Sequence, residues 1–384
     1  MSSPRVNLLR AASIPLMLGL LLGLAACKED PPPSKPKPDA DAGAPAMDPN
    51  IAAAVQSVAV APSPSPSDAQ GPPPNGVFGP GEADKAHAPN APLAVEMVSK
   101  GSEPRQKISV NRDLSKGASL TVLVSMALPN GQLPPVGFEL KATTPKPEGD
   151  ELPTGPVPIT FAIKDAAAVA AQGVPEPGPE IQKMLGTLKG SKITAQLAPD
   201  GSLSGEKIEL GEDVKPPIDQ FVIGLSNVLS LYFSPMPAEP VGPGATWLAH
   251  DRADFAGMKV VRYRATTLQA AEGDQLAFSL DMRMYAIDET QMPSIVQGEA
   301  VLMGLATESK GKWVRAVDGL LPLSGQLQVP LVAQLGSPNQ PGQTMPVKFQ
   351  TIVQIGKPGK PSAPAPSGAP PGGTPPGGAP PGAP

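Results

Sequence analysis

Few residues in this chain could do chemistry, and they are scattered. Cys27 is the only cysteine among 384 residues, and His87 and His250 are the only histidines. A lone thiol cannot form a disulfide within its own chain, which leaves its nucleophilicity. Neither histidine has another histidine or a cysteine at the spacing of a metal site. His250-Asp251 has the residue types of a base and its orienting acid, but no serine stands in Gly-x-Ser-x-Gly, so a surface pair is expected. Asp39-Ala40-Asp41-Ala42-Gly43 lacks the remaining ligands of a calcium loop. Gly79-x-Gly81 and Gly242-x-Gly244 have no strand before and no helix after, as a phosphate cradle requires. The carboxylates define no glycosidase pair. No catalytic residue, metal site or cofactor is therefore expected, and the chemistry falls on Cys27.

What positions Cys27 is a leader. Arg5 and Arg10 form a positive start, and an apolar run from Ala11 to Leu24 follows with no acid before the cysteine. That three-part form is a secretory signal, and the run is too short to span a bilayer, which takes about 20 apolar residues. Its end, Leu24-Ala25-Ala26-Cys27, resembles the lipobox of bacterial lipoproteins. The resemblance implies a diacylglyceryl group on the Cys27 thiol, cleavage between Ala26 and Cys27, and acylation of the new amine. Each buried methylene contributes about 0.8 kcal/mol, and stable anchoring needs two chains; two or three long chains make release negligible. The family's sorting rule retains a lipoprotein at the inner membrane when Asp follows the lipidated cysteine. Lys28 stands there instead, which favours the outer membrane, on its periplasmic face or at the cell surface.

Composition bounds the rest. The 54 prolines and 40 glycines make up about a quarter of the chain and signal long low-complexity segments. Net charge is −5, more acidic once the leader takes Arg5 and Arg10 away, with no basic run and 3% aromatics. Nucleic acid is a poor partner for such a chain, and stacking platforms for bases are scarce. Four parts are expected: a signal peptide (1–26), a lipidated Pro/Ala-rich disordered tether (27–76), a β-rich body (77–356) and a disordered Pro/Gly-rich tail (357–384). The tether cannot bury enough apolar surface to order itself. In polyproline-like form, at about 3.1 Å per residue, it reaches on the order of 100 Å.

Within the body, apolar residues recur every second position. Leu120, Val122, Val124, Met126 and Leu128 share a face, as do Val136, Phe138 and Leu140, then Val157, Ile159, Phe161 and Ile163. Leu276, Phe278, Leu280, Met282 and Met284 alternate with Gln275, Ser279, Asp281, Arg283 and Tyr285. This is the pattern of half-buried antiparallel strands. Asn130-Gly131, Asp200-Gly201 and Gly273 mark hairpins, and Pro330 restricts its strand to an edge or a bulge. One stretch changes period: after Pro216-Pro217, residues Ile218, Phe221, Val222, Leu225, Val228, Leu229 and Tyr232 fall at helical spacing. The fold class expected is mainly β (α+β), a large curved antiparallel sheet or half-barrel with the 217–233 amphipathic helix packed against it. Pro240-Val241-Gly242-Pro243-Gly244-Ala245-Thr246-Trp247 resembles a turn of uncharacterised β-rich envelope lipoproteins, with Trp247 plugging the core. Half-barrels of this kind occur in lipoprotein carriers and lipid-binding lipoproteins, an analogy of fold alone.

Function is bounded rather than named. Met258, Met282, Met284 and Met303 suit an apolar groove for a lipid-like ligand, since methionine is soft and adaptable; the same residues also suit an ordinary core. The leading expectation is a lipid-anchored envelope lipoprotein with a non-catalytic binding body. Its partners would be the membrane, through the lipid on Cys27, and an apolar ligand or an envelope protein. The alternatives are a spacer docking peptidoglycan or an envelope protein, and an uncharacterised hydrolase.

Overall fold

A computed structural model describes residues 72–128, 131–147, 153–171, 174, 176–216, 218–255, 257–289, 300–337 and 340–356. Ala26, Cys27, most of the tether and the tail lie outside the described residues.

Among the described residues, fourteen strands form one open antiparallel sheet. They are β1 (Ala94–Ser99), β2 (Ala118–Leu128), β3 (Gly131–Gln132), β4 (Val136–Thr143), β5 (Val157–Ala168), β6 (Lys192–Leu197), β7 (Leu203–Glu209), β8 (Thr246–Phe255), β9 (Met258–Glu272), β10 (Gln275–Ala286), β11 (Val301–Ala306), β12 (Ser309–Ala316), β13 (Pro322–Ser337) and β14 (Gln340–Gly356). Three helices accompany them among the described residues: α1 (Glu82–Ala86), α2 (Pro179–Gly186) and α3 (Asp219–Tyr232). The order across the sheet is β1-β8-β9-β10-β12-β13-β14-β2-β4-β5-β6-β7. Two meanders therefore meet where β14 pairs β2, with Gln350 opposite Ala127 and Gly356 opposite Thr121.

This order explains α3. The chain leaves β7 at one edge and must reach β8, next to the other edge. It crosses the inner face of the sheet as α3 and the segment that follows. Val222, Leu225, Val228, Leu229, Leu231 and Tyr232 are buried along the helix, and 233–237 are buried behind it. The helix starts later than expected. Pro216 lies upstream in a turn and Ile218 stands at the N-cap, so a proline does not open the helix.

The contacts of this crossing prove strong curvature. The Phe233 ring lies 5.5 Å from Phe161 of β5, while the next residue, Ser234, has its Oγ 3.1 Å from Thr266 Oγ1 of β9. In the sheet order β5 and β9 are seven steps apart, roughly 33 Å along a flat sheet at about 4.8 Å per strand. The sheet must wrap around the crossing segment. Trp247 fastens that segment from the far side: it is fully buried, and its Nε1 donates to the Pro235 carbonyl at 2.8 Å. The glycine turn before Trp247 permits a close approach, because a Cβ on Gly242 would run into the Ser102 carbonyl.

Pro330 is not on an edge. It pairs opposite Gln350 of β14, while its other side falls between Gln328, the last residue opposite β12, and Val332, the first opposite β11. On that side β13 changes partner at Pro330, which leaves a gap in the ladder where a residue without an N–H is tolerated.

Candidate functional site

Side chains alternate between the faces of a strand, and β8 and β9 put unlike chemistry on the two sides. Inward-facing residues on β9 are Val260, Arg262, Arg264, Thr266 and Leu268, all buried. Asp251 of β8 stands opposite Arg262. Arg262 grips it with two bonds, Nε to Oδ1 at 3.0 Å and Nη2 to Oδ2 at 2.7 Å. Arg264 Nη2 adds a third to Oδ2 at 2.9 Å. Above them, Arg262 Nη1 donates to Ser230 Oγ on α3 at 3.2 Å. Two guanidiniums thus share one carboxylate beneath the helix. Burial pushes the Asp251 carboxyl up, but the Arg264 and Arg262 charges outweigh it and hold the group below the usual carboxylate range. Burial, with repulsion from Arg262, lowers Arg264 to about 10, so it remains charged at neutral pH. Its Nε has no hydrogen-bond partner.

His250 and Asp251 form neither a triad nor a surface pair. As strand neighbours they face opposite sides. His250 stacks outward on Tyr263, with centroids 5.6 Å apart and planes at 12°, and Tyr263 meets Tyr285 edge-on at 5.6 Å. Asp251 faces the interior.

An N-terminal arm lies on this outer face. Val77 bridges to Ala286, and Phe78 packs with Ala83, Val261 and Tyr285. Helix α1 then brings His87 to His250, with Nδ1 to Nδ1 at 3.1 Å and the rings edge-on at 5.0 Å. His87 is buried at 5% exposure. Arg252 ties the arm down, donating from Nε to the His87 carbonyl at 2.8 Å and pairing with Asp84. The sequence treats the two histidines as unrelated because 163 positions separate them.

The four methionines do not line a groove. Met258, Met282 and Met284 are at most 2% exposed, inside the core that α3 completes. Met303 is 51% exposed and sits at a bulge, where β11 skips from Leu302 to Gly304 against β13. The groove expectation fails because the inner face is filled by the chain's own helix. Met282 borders one hollow, with Tyr263, Asp281, Arg283, Glu308, Ser309 and Lys310, but at 1% exposure it offers that hollow almost no surface. Cys27 and Ala26, the expected lipidation and cleavage residues, lie outside the described residues. Among the described residues, no three His, Cys, Asp or Glu side chains are grouped to hold a metal, and no helix is long and apolar enough to cross a membrane.

Sequence reasoning missed Arg262 and Arg264, although a signal was there. They are in phase with Val260 and Leu268, so two charges occupy the apolar face of an alternating strand. No protein-family model matches this chain, and no curated protein matches it.

Proposed function

We propose that this is a lipid-anchored protein of the bacterial cell envelope, held by acyl chains on Cys27, whose body is a non-catalytic docking module. The observation that carries the reading is the filled inner face: α3 and residues 233–237 occupy the concave side of the sheet, where a carrier would keep its cargo. A body without an open interior meets partners through its outside. Exposed apolar residues lie at its edge, with Val95 and Val98 on the edge strand β1 each 40% exposed. The anchor rests on the resemblance of Leu24-Ala25-Ala26-Cys27 to a lipobox, with Lys28 favouring the outer membrane and the Pro-rich tether providing reach.

A second reading, a carrier of an apolar ligand, draws on Arg262 and Arg264. Two guanidiniums on one carboxylate leave a positive charge under α3, which a fatty carboxylate or a lipid phosphate would match once the helix moved aside.

Native mass spectrometry of the full chain, extracted from membranes in mild detergent, separates the two. The docking reading expects the mass of the lipidated chain alone. A further adduct of lipid mass that leaves on denaturation contradicts it and supports the carrier. The anchor has its own test. Cys27→Ser should abolish globomycin-sensitive processing and release the chain from carbonate-washed membranes; retention there contradicts lipidation.

A further inference from the structure

We propose that His87 and His250 form a two-imidazole site for a borderline divalent cation, Zn²⁺ being the type case, and that the ion clips the N-terminal arm to strand β8. The chain holds only two histidines, and the fold brings them from 163 positions apart to an Nδ1–Nδ1 separation of 3.1 Å. Zinc–imidazole bonds are about 2.0–2.1 Å long, and two of them at a near-tetrahedral angle place their nitrogens roughly 3.3 Å apart. The observed separation is within a few tenths of an ångström of that.

The rings are also held as ligands are held. His87 Nε2 is 3.3 Å from the Ala91 carbonyl. A carbonyl can only accept, so Nε2 carries the proton and the Nδ1 lone pair points at His250. A metal-bound histidine is commonly fixed in this way by a bond from its second nitrogen to a backbone carbonyl. His250 is fixed by stacking on Tyr263. Without an ion, His250 Nδ1–H donates to His87 Nδ1. With one, the His250 proton moves to Nε2, and both lone pairs converge on the cation with both rings neutral. Imidazole suits Zn²⁺, Cu²⁺ and Ni²⁺ and ranks below oxygen ligands for Mg²⁺ and Ca²⁺.

The surroundings tolerate a cation. Glu96 of β1 lies on the His250 face, two residue pairs beyond Ala94, which stands opposite His250, and its charge acts on His250 together with that of Asp251. The nearby cation, Arg252, is paired with Asp84. Because no third ligand of these types joins the pair among the described residues, water completes the coordination.

The test is calorimetric titration of the full chain with Zn²⁺, the Cys27 thiol being alkylated or lipidated. The wild type should bind one equivalent, and Zn²⁺ should slow amide exchange over 76–91. His87→Ala and His250→Phe should each lose that equivalent. The phenylalanine keeps an aromatic ring against Tyr263, so loss of binding there is loss of a ligand rather than of packing. No binding by the wild type, or a site that survives both substitutions, overturns the proposal.

Discussion

His250 and Asp251 are neighbours on one strand, yet they belong to two regions held by different means. Inside, Asp251, Arg262, Arg264 and Ser230 form a network under α3 in which both arginines are buried and Asp251 is 18% exposed. Outside, His250, Tyr263 and Tyr285 form an aromatic ladder on which Phe78 of a thin arm packs. The inner region gains from a low local dielectric and depends on the one carboxylate that its two guanidiniums share, because an unmatched buried charge is costly. The outer region is held by ring contacts, by backbone bonds between Gly76, Phe78 and Ala286, by the Arg252 bond to the His87 carbonyl and by one part-exposed ion pair, all of which can open without unfolding the sheet. Local opening of this kind is expected where few buried contacts hold a segment.

The largest effect should come from the inside. Asp251→Asn leaves two buried guanidiniums without their carboxylate and should cost about 3–5 kcal/mol. Urea unfolding followed by the emission of Trp247 and Trp313, both buried, would measure it. A loss below about 1 kcal/mol would mean that the network is more hydrated than its burial implies. Next is the hold of α3 on the sheet. Tyr232 Oη donates to the Val353 carbonyl at 2.9 Å, and Tyr232→Phe should cost about 0.5–1.5 kcal/mol on the same assay.

Acid should separate the regions in order. Burial, then repulsion from His87, holds His250 below its ordinary value, against the pull of Asp251 and Glu96. The unfolded chain therefore takes up this proton near pH 6.5, before the folded chain does. Stability present above that pH is lost as pH falls from about 6.5 through the lower folded value. Asp251 is also lowered in the folded state, so its contribution is lost only below about pH 4. Amide exchange over 76–91 should rise in the first window, while tryptophan emission should hold until the second. Simultaneous change in both would erase the distinction between the two faces. The smallest effect is expected from Arg252→Ala. Its ion pair is part-exposed, at 24% and 59% for the two side chains, and such pairs contribute about 0.2–1 kcal/mol. Loss should appear as faster exchange in the arm, with the urea midpoint little changed.

How much of this is legible in the sequence follows from the range of each signal. Period two identifies strands and the residues that share a face: Leu276, Phe278, Leu280, Met282 and Met284 are all buried on one side of β10. Helical spacing finds α3. Neither signal reports strand order, and strand order sends α3 across the inner face. The methionine expectation failed for that reason, since a face lined with Leu and Met reads the same whether a ligand or the chain's own helix covers it. The histidine pair was beyond reach because it depends on where the arm comes to rest. Pro330 was half legible: its missing donor demanded a gap in the ladder, and the fold supplied one inside the sheet.

Helix α3 is a permanent part of the core, and hydrogen exchange of the full chain is the measurement to make. Amides of 225–232 should exchange as slowly as those of β9 and β10, through global unfolding. Exchange of α3 that is orders of magnitude faster than in those strands, with the sheet still protected, would make the helix a lid over an open inner face and not part of the core.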